Sequence, residues 1–118
     1  MSYEFYKVVH VVGALFLFAS LGTLAALSGA DGSRFRKIAV IAHGIALGVI
    51  FVAGFGLLAR LGMFGGIPGW AWAKLVLWAL LGAVVMPLKR RPEWAPALWV
   101  VMPLLGGAAA WLAIAKPF

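Results

Sequence analysis

The sequence predicts an all-α membrane protein, an antiparallel bundle of four transmembrane helices. Three observations carry this. Of 118 residues, 65% are hydrophobic and 11% charged, with a mean hydropathy of +1.08, too little polar surface to cover a water-soluble globule. The apolar residues fall into four long stretches nearly free of charge, each close to the roughly 20 residues that a hydrocarbon core of about 30 Å requires. Segments rich in glycine, proline and charge separate them, so residues 1–118 read as one integral membrane domain, with no length left for a soluble one.

The first helix is expected over about residues 5–27, with no Asp, Glu, Lys or Arg between Val8 and Ala30. Only Lys7 precedes its apolar run, which extends far beyond a signal-peptide core and lacks a convincing small-residue cleavage site, so it should remain as a helix. "SGADGSRFRK" then makes a turn. The second helix is expected over 38–59, closed by the glycines and Pro68 of "RLGMFGGIPGW", which should form a short structured loop. The third, over 70–88, contains Lys74 as its one charge and should stop at "PLKRRPEW", where two prolines and three basic residues gather. The fourth, over 94–115, carries Pro103 inside it, a kink that a membrane helix tolerates when neighbours satisfy the freed carbonyl.

The net charge of +7 does not point to nucleic acid, because the basic residues stand at the ends of apolar segments. Arg34, Arg36 and Lys37 in one connection and Lys89, Arg90 and Arg91 in another define a basic side. The other side has Arg60, with Lys7 and Lys116 near the termini, so the positive-inside rule puts the basic loops in the cytoplasm and both termini outward. Trp70, Trp72 and Trp94 fit interfacial belts, whereas Trp78, Trp99 and Trp111 lie deeper. Small residues at helix-contact spacing should let backbones approach: Gly44 with Gly48, Gly13 beside Leu17 and Leu21, Ala79 with Gly82 and Ala83, and the run from Gly106 to Ala110.

With no cysteine, disulfides and thiolate ligands are excluded. Depth sorts the remaining chemically useful groups. His10 lies about 8 Å inside the outer end of the first helix and His43 about 8 Å inside the cytoplasmic end of the second, so their backbones should differ by about 14 Å in depth. Paired axial ligation of a haem needs histidines at similar depth on facing helices. Within one subunit these two are poorly placed for that, which leaves one histidine with another partner or equivalent histidines meeting across a dimer. Lys74, about 6 Å below the outer surface, shares the level of His10. Tyr3, Tyr6, Lys7 and His10 fall on one stripe of the first helix, with Glu4 and Arg60 placed to border it. Such a cluster could hold an anionic or porphyrin-like ligand, with Lys74 facing a propionate and His10 as ligand or proton carrier.

Each of these residues also has a structural reading. Lys74 is near enough to the surface to snorkel. His10 and His43 could each make an inter-helix hydrogen bond. Lys7 suits an interfacial anchor; Met63 is a further thioether, and Met86 and Met102, on the side of His43, suit packing better than sulfur ligation. A proton-driven transporter or channel would need a buried carboxylate or a central polar path, and the sequence offers neither.

"YKVVHVVGALFLFASLGTLAAL", "RKIAVIAHGIALGVIFVAGFGLLA", "WAWAKLVLWALLGAVVMPLKRR" and the closing "AIAKPF" resemble the helices and terminus of the SirB family of small four-helix membrane proteins. Ala42 and Ala46 stand near where that family tends to have Pro and Asp. "KVVH" and "WAWAKL" also resemble the HemJ-type protoporphyrinogen oxidases, in which a first-helix His and a third-helix Lys matter. That resemblance implies His10 and Lys74; the second His of that family's third helix has no counterpart, since Ala83 to Met86 are non-ionisable.

The expectation is therefore a small integral protein, of the bacterial inner membrane, that holds haem b or a porphyrin-like ligand in the outer half of the bundle. His10, Lys74 and His43 are the cofactor-binding candidates, with His10 as the metal ligand. The alternative is a non-catalytic accessory subunit of a larger membrane complex. The partners expected are the lipid bilayer and either a second copy or that complex, with no nucleic acid.

Overall fold

The computed structural model describes residues 2–27, 34–62 and 65–115. Among these the protein is an all-α four-helix bundle, and its four spans are all long and apolar enough to cross a membrane. Helix α1 runs Tyr3–Ala26 and α2 Arg34–Arg60. The third span is broken into α3, Gly69–Ala83, and α4, Val85–Arg90; a single 3-10 turn, Pro92–Trp94, leads into α5, Ala95–Ala115. The longest dimension, 45 Å, matches a bilayer with its headgroup layers, about 40–45 Å.

Local chemistry sets the helix ends. Ser2 caps α1 by accepting the Phe5 N–H on its hydroxyl at 3.1 Å, which satisfies one of the first-turn donors. Gly62 ends α2 in the left-handed region, φ 70°, with its N–H on the Ala59 carbonyl. Pro68, extended at ψ 157°, caps α3 with its carbonyl and needs no N–H of its own there. Along α1, Ser20 and Thr23 turn their hydroxyls back onto the Phe16 and Ala19 carbonyls at 2.7 and 3.0 Å, so neither presents an unsatisfied group to lipid.

The third span departs from expectation. Prolines and basic residues were expected to stop it near Leu88, yet the ladder is interrupted earlier, at Val84, and resumes to Arg90. Pro87 explains both facts. It lacks the N–H that the Ala83 carbonyl would accept and its ring crowds that carbonyl, so the break falls in the preceding turn. Pro87 then sits in the first turn of α4, where its missing N–H is harmless. Arg34, Arg36 and Lys37 are likewise not loop residues but the first turn of α2. Ser28 to Ser33 of that connection, Met63, and the terminal Lys116, Pro117 and Phe118 lie outside the described residues.

Pairings fix the topology. Tyr6 packs on Gly56, His10 on Ile50 and Gly54, and Gly13 on Val49 and Ile50, so α1 and α2 are antiparallel. His43 meets Leu81 while Trp78 and Gly82 meet Leu47, so α2 and α3 are antiparallel too. Phe18 lies on Gly106, and Gly22, one turn on, shares a cleft with Trp99 and Met102, so α5 is antiparallel to α1. The α1–α2 interface is the most extensive, whereas α2 and α3 approach less closely and are bridged by side chains. Two apolar clusters fill the interior: a larger one around Leu17, Leu21, Leu24, Leu81, Leu88 and Met102 in the half holding the basic residues, and a smaller one of Leu58, Trp70, Ala71 and Leu112 in the other.

The small-residue expectation needs correcting in part. Gly44 and Gly48 do not mediate a contact within the chain; both are exposed, with open space where a side chain would stand. Gly13, Gly56, Gly82 and Gly106 are the glycines at close approach. Ala79 and Ala83 are exposed as well, leaving Gly82 to meet Leu47.

Candidate functional site

His10 sits on the α2-facing side of α1, one turn beyond Tyr6. Its Nδ1 lies 3.2 Å from the Ile50 carbonyl oxygen. A carbonyl only accepts, so Nδ1 carries the proton and donates, and in the neutral ring Nε2 keeps its lone pair. Gly54 lies one turn along α2, and a Cβ there would stand 3.6 Å from His10 Cε1. A larger side chain at Gly54 would therefore press on the ring. Gly56 does the same for Tyr6, whose ring fills the place of a Cβ.

Lys74 is half-buried on α3, where the residue count puts it at the level of His10. Register agrees: α2 and α3 pair His43 with Leu81 and Leu47 with Trp78, and the same run continued brings Lys74 to about the level of Phe51. The bundle thus brings His10 and Lys74 to one level between the two apolar clusters. It separates the rest of the expected stripe. Lys7 is exposed, its ammonium 6.0 Å from the centre of the Tyr3 ring, and Glu4 and Arg60 are exposed at the same end.

His43 belongs elsewhere. It is buried, at 4% exposure, in the larger apolar cluster's half of the molecule. Its Nε2–H donates to the Leu81 carbonyl at 3.1 Å. Leu81 lies in the last turn of α3, where carbonyls lack intrahelical donors, so His43 closes the C-terminus that Pro87 leaves open. His10 contacts α2 at Ile50, seven residues from His43, which separates the two rings by about 10 Å along the axis. The two histidines do not face one another across a common plane. Each makes the inter-helix hydrogen bond that was its structural reading.

Sequence reasoning passed over Trp78. Its indole N–H donates to the Leu47 carbonyl at 3.0 Å, and Phe51 stacks beside it with ring centroids 5.1 Å apart. With Leu47 and Ile50 both accepting from outside, α2 serves as an acceptor rail for its neighbours on either side. The signal was present: a tryptophan deep in a span needs a partner for its N–H. Met102 is buried in the core and Met86 is exposed. Neither stands at a histidine ligand position given by the hydrogen bonds above.

Among the described residues, no group of three or more His, Cys, Asp or Glu side chains could hold a metal ion. A haem iron needs less from the protein, and the fit is partial. His10 has the form of an axial ligand: an imidazole whose second nitrogen is fixed by a carbonyl. Among the described residues His43 would not join it as a second ligand, because it stands at a different level and its Nε2–H is engaged by Leu81. Two clefts, of about 310 Å³ between α1 and α5 and about 500 Å³ between α1 and α2, are lined by neither His10 nor Lys74. A porphyrin at His10 would therefore rest against the outside of the helices. No family model, no curated protein and no solved structure matches this chain.

Proposed function

We propose that this small four-helix integral membrane protein, of SirB type, binds haem b or a porphyrin-like ligand in the half of the bundle that holds His10 and Lys74. The observation that carries this reading is the His10 ring, held by its Nδ1–H on Ile50 with the Nε2 lone pair left over, and the register that brings Lys74 to the same level. His10 Nε2 would hold the iron, and Lys74 would meet a propionate carboxylate. Bound haem would supply a redox-active iron. The chain's own part is to fix the imidazole's tautomer and orientation through Ile50 and to neutralise a carboxylate in a low-dielectric setting. The basic ends of α2 and α4 face the cytoplasm of a bacterial inner membrane in this reading, and both termini face outward.

The absorption spectrum of protein expressed with ample haem tests it. A Soret band lost in His10→Ala and retained in His43→Ala is the expected result. A band that is absent in the wild type, or indifferent to His10→Ala, refutes the assignment.

A second reading, an accessory subunit of a larger membrane complex, draws on α5. Only 11% of its most apolar window is buried inside the chain, against 28% for α1, and Trp99, Val100, Leu104, Trp111 and Ile114 all face outward. Aromatic anchors on an otherwise apolar face suit a protein partner as well as lipid. Co-purification of a larger membrane protein through α5, lost in Trp99→Ala/Trp111→Ala, with no Soret band in the wild type, is the outcome that favours it.

A further inference from the structure

Topology needs only the number of basic residues in a connection. Here the structure also brings two such groups together. Arg34, Arg36 and Lys37 make the first turn of α2; Lys89 and Arg90 end α4, and Arg91 follows as its cap. A hydrogen bond of 3.3 Å from Arg36 Nη2 to the Lys89 carbonyl joins the two turns. That carbonyl lies in the last turn of α4, where acceptors lack intrahelical donors, so Arg36 caps one helix while drawing the other's charges to it. Glu93 stands 3.9 Å from Arg91, whose guanidinium also lies 5.3 Å from the centre of the Trp94 ring. Arg34, Lys37, Lys89 and Arg90 remain exposed around this joint. Among the described residues Glu93 alone offsets these six basic residues, which leaves this end of the bundle strongly positive.

Farther along α2, beginning at Ala42, lies the cleft between α1 and α2, about 500 Å³ and lined by apolar side chains that include Ile45 and Val49 of α2 and Val8, Val12 and Phe16 of α1. Ala42 follows Lys37 by five residues, about 7.5 Å along the helix, within reach of an acyl chain whose phosphate sits at the joint. Arg34, Ile38, Ile45 and Val49 follow one another at helical spacing, so a single face of α2 runs from the charges into the cleft.

We propose that this end of the bundle binds an anionic phospholipid, its phosphate held by Arg34, Lys37, Lys89 and Arg90 and one acyl chain lying in the α1–α2 cleft. The charge identifies the anion, and the adjoining cleft selects a lipid over free phosphate.

Native mass spectrometry of the full chain in detergent tests this, with dioleoyl-phosphatidylglycerol and dioleoyl-phosphatidylcholine titrated in parallel. The expected result is at least about fivefold tighter binding of phosphatidylglycerol. The preference should vanish in Arg34→Gln/Lys37→Gln/Lys89→Gln/Arg90→Gln and persist in Lys7→Gln/Arg60→Gln, which removes charge at the other end. Ala42→Phe, which narrows the cleft and leaves every charge in place, should weaken the lipid adduct independently of any misfolding in the fourfold variant. Equal binding of the two lipids, or a preference unchanged in the fourfold variant, overturns the proposal. Displacement of the lipid by millimolar inorganic phosphate overturns the choice of a lipid ligand.

Discussion

Gly56→Ala probes the packing that seats the candidate site. The added Cβ would clash with the Tyr6 ring, closer to Cδ1 and Cε1 than carbon atoms approach, and 2.9 Å from Cγ. Turning the ring about χ2 leaves Cγ where it is, so the space is cleared only by a change of χ1, which unseats the ring, or by a shift of α1 of several tenths of an ångström or more. Overpacking of this kind costs about 1–3 kcal/mol. Alanine's helix preference over glycine returns up to about 1 kcal/mol, leaving a net loss of about 1–2 kcal/mol. Tyr6→Ala removes the obstacle, so the double variant should be less destabilised than the sum of the two singles, with a coupling of about 1–3 kcal/mol. Equilibrium unfolding in mixed maltoside and dodecyl sulfate micelles, followed by tryptophan fluorescence and circular dichroism, measures all three. Gly44→Ala is the internal control: it meets open space, so it should be between neutral and about 1 kcal/mol more stable than wild type. Gly56→Ala as benign as Gly44→Ala, or strictly additive with Tyr6→Ala, would show that the helices do not pack in this register.

Other outcomes follow from the same contacts. Trp78→Phe keeps the ring beside Phe51 but removes the N–H from Leu47, and should cost about 0.6–1.7 kcal/mol in the same unfolding experiment. His43→Leu removes the donor to Leu81 and should raise amide exchange near Val84 and Val85, where the ladder is already interrupted, more than in the middle of α2. Side-chain nitrogen shifts should report the Nδ1–H tautomer for His10 and the Nε2–H tautomer for His43; the reverse assignment would contradict both hydrogen bonds. Lys7→Gln should leave stability unchanged within about 0.5 kcal/mol, since the side chain is exposed.

The four spans were legible because hydropathy and length suffice to find a membrane helix. Counting residues from the segment ends also separated His10 from His43, and their hydrogen bonds lie at different levels of α2; the α2–α3 register carries Lys74 to the level of Phe51, beside Ile50. What each helix presents to its neighbours was not legible. In lipid both faces of a span are apolar, so the periodicity that marks a buried face in a soluble protein is lost. Gly44 and Gly48 therefore looked as much like a contact as Gly56, yet only Gly56 meets a neighbour. The break at Val84 was hidden for another reason: Pro87 acts on the carbonyl four residues before it, so the mark in the sequence and the interruption in the helix are displaced. Trp78 escaped because nothing in its flanking residues names the carbonyl it needs.

The uneven tightness of the bundle bears on how it is made. The most extensive interface joins α1 and α2, which are synthesised before α3 and α5, and Tyr6, His10 and Gly13 all find their seats on α2. This hairpin can assemble in the membrane as a unit before the second half is synthesised. It then offers two unfinished connections, the His43 ring and the Leu47 carbonyl, which wait for Leu81 and Trp78. The arrival of α3 is thus checked at two levels of the membrane, and a third span that entered out of register would leave both connections unmade.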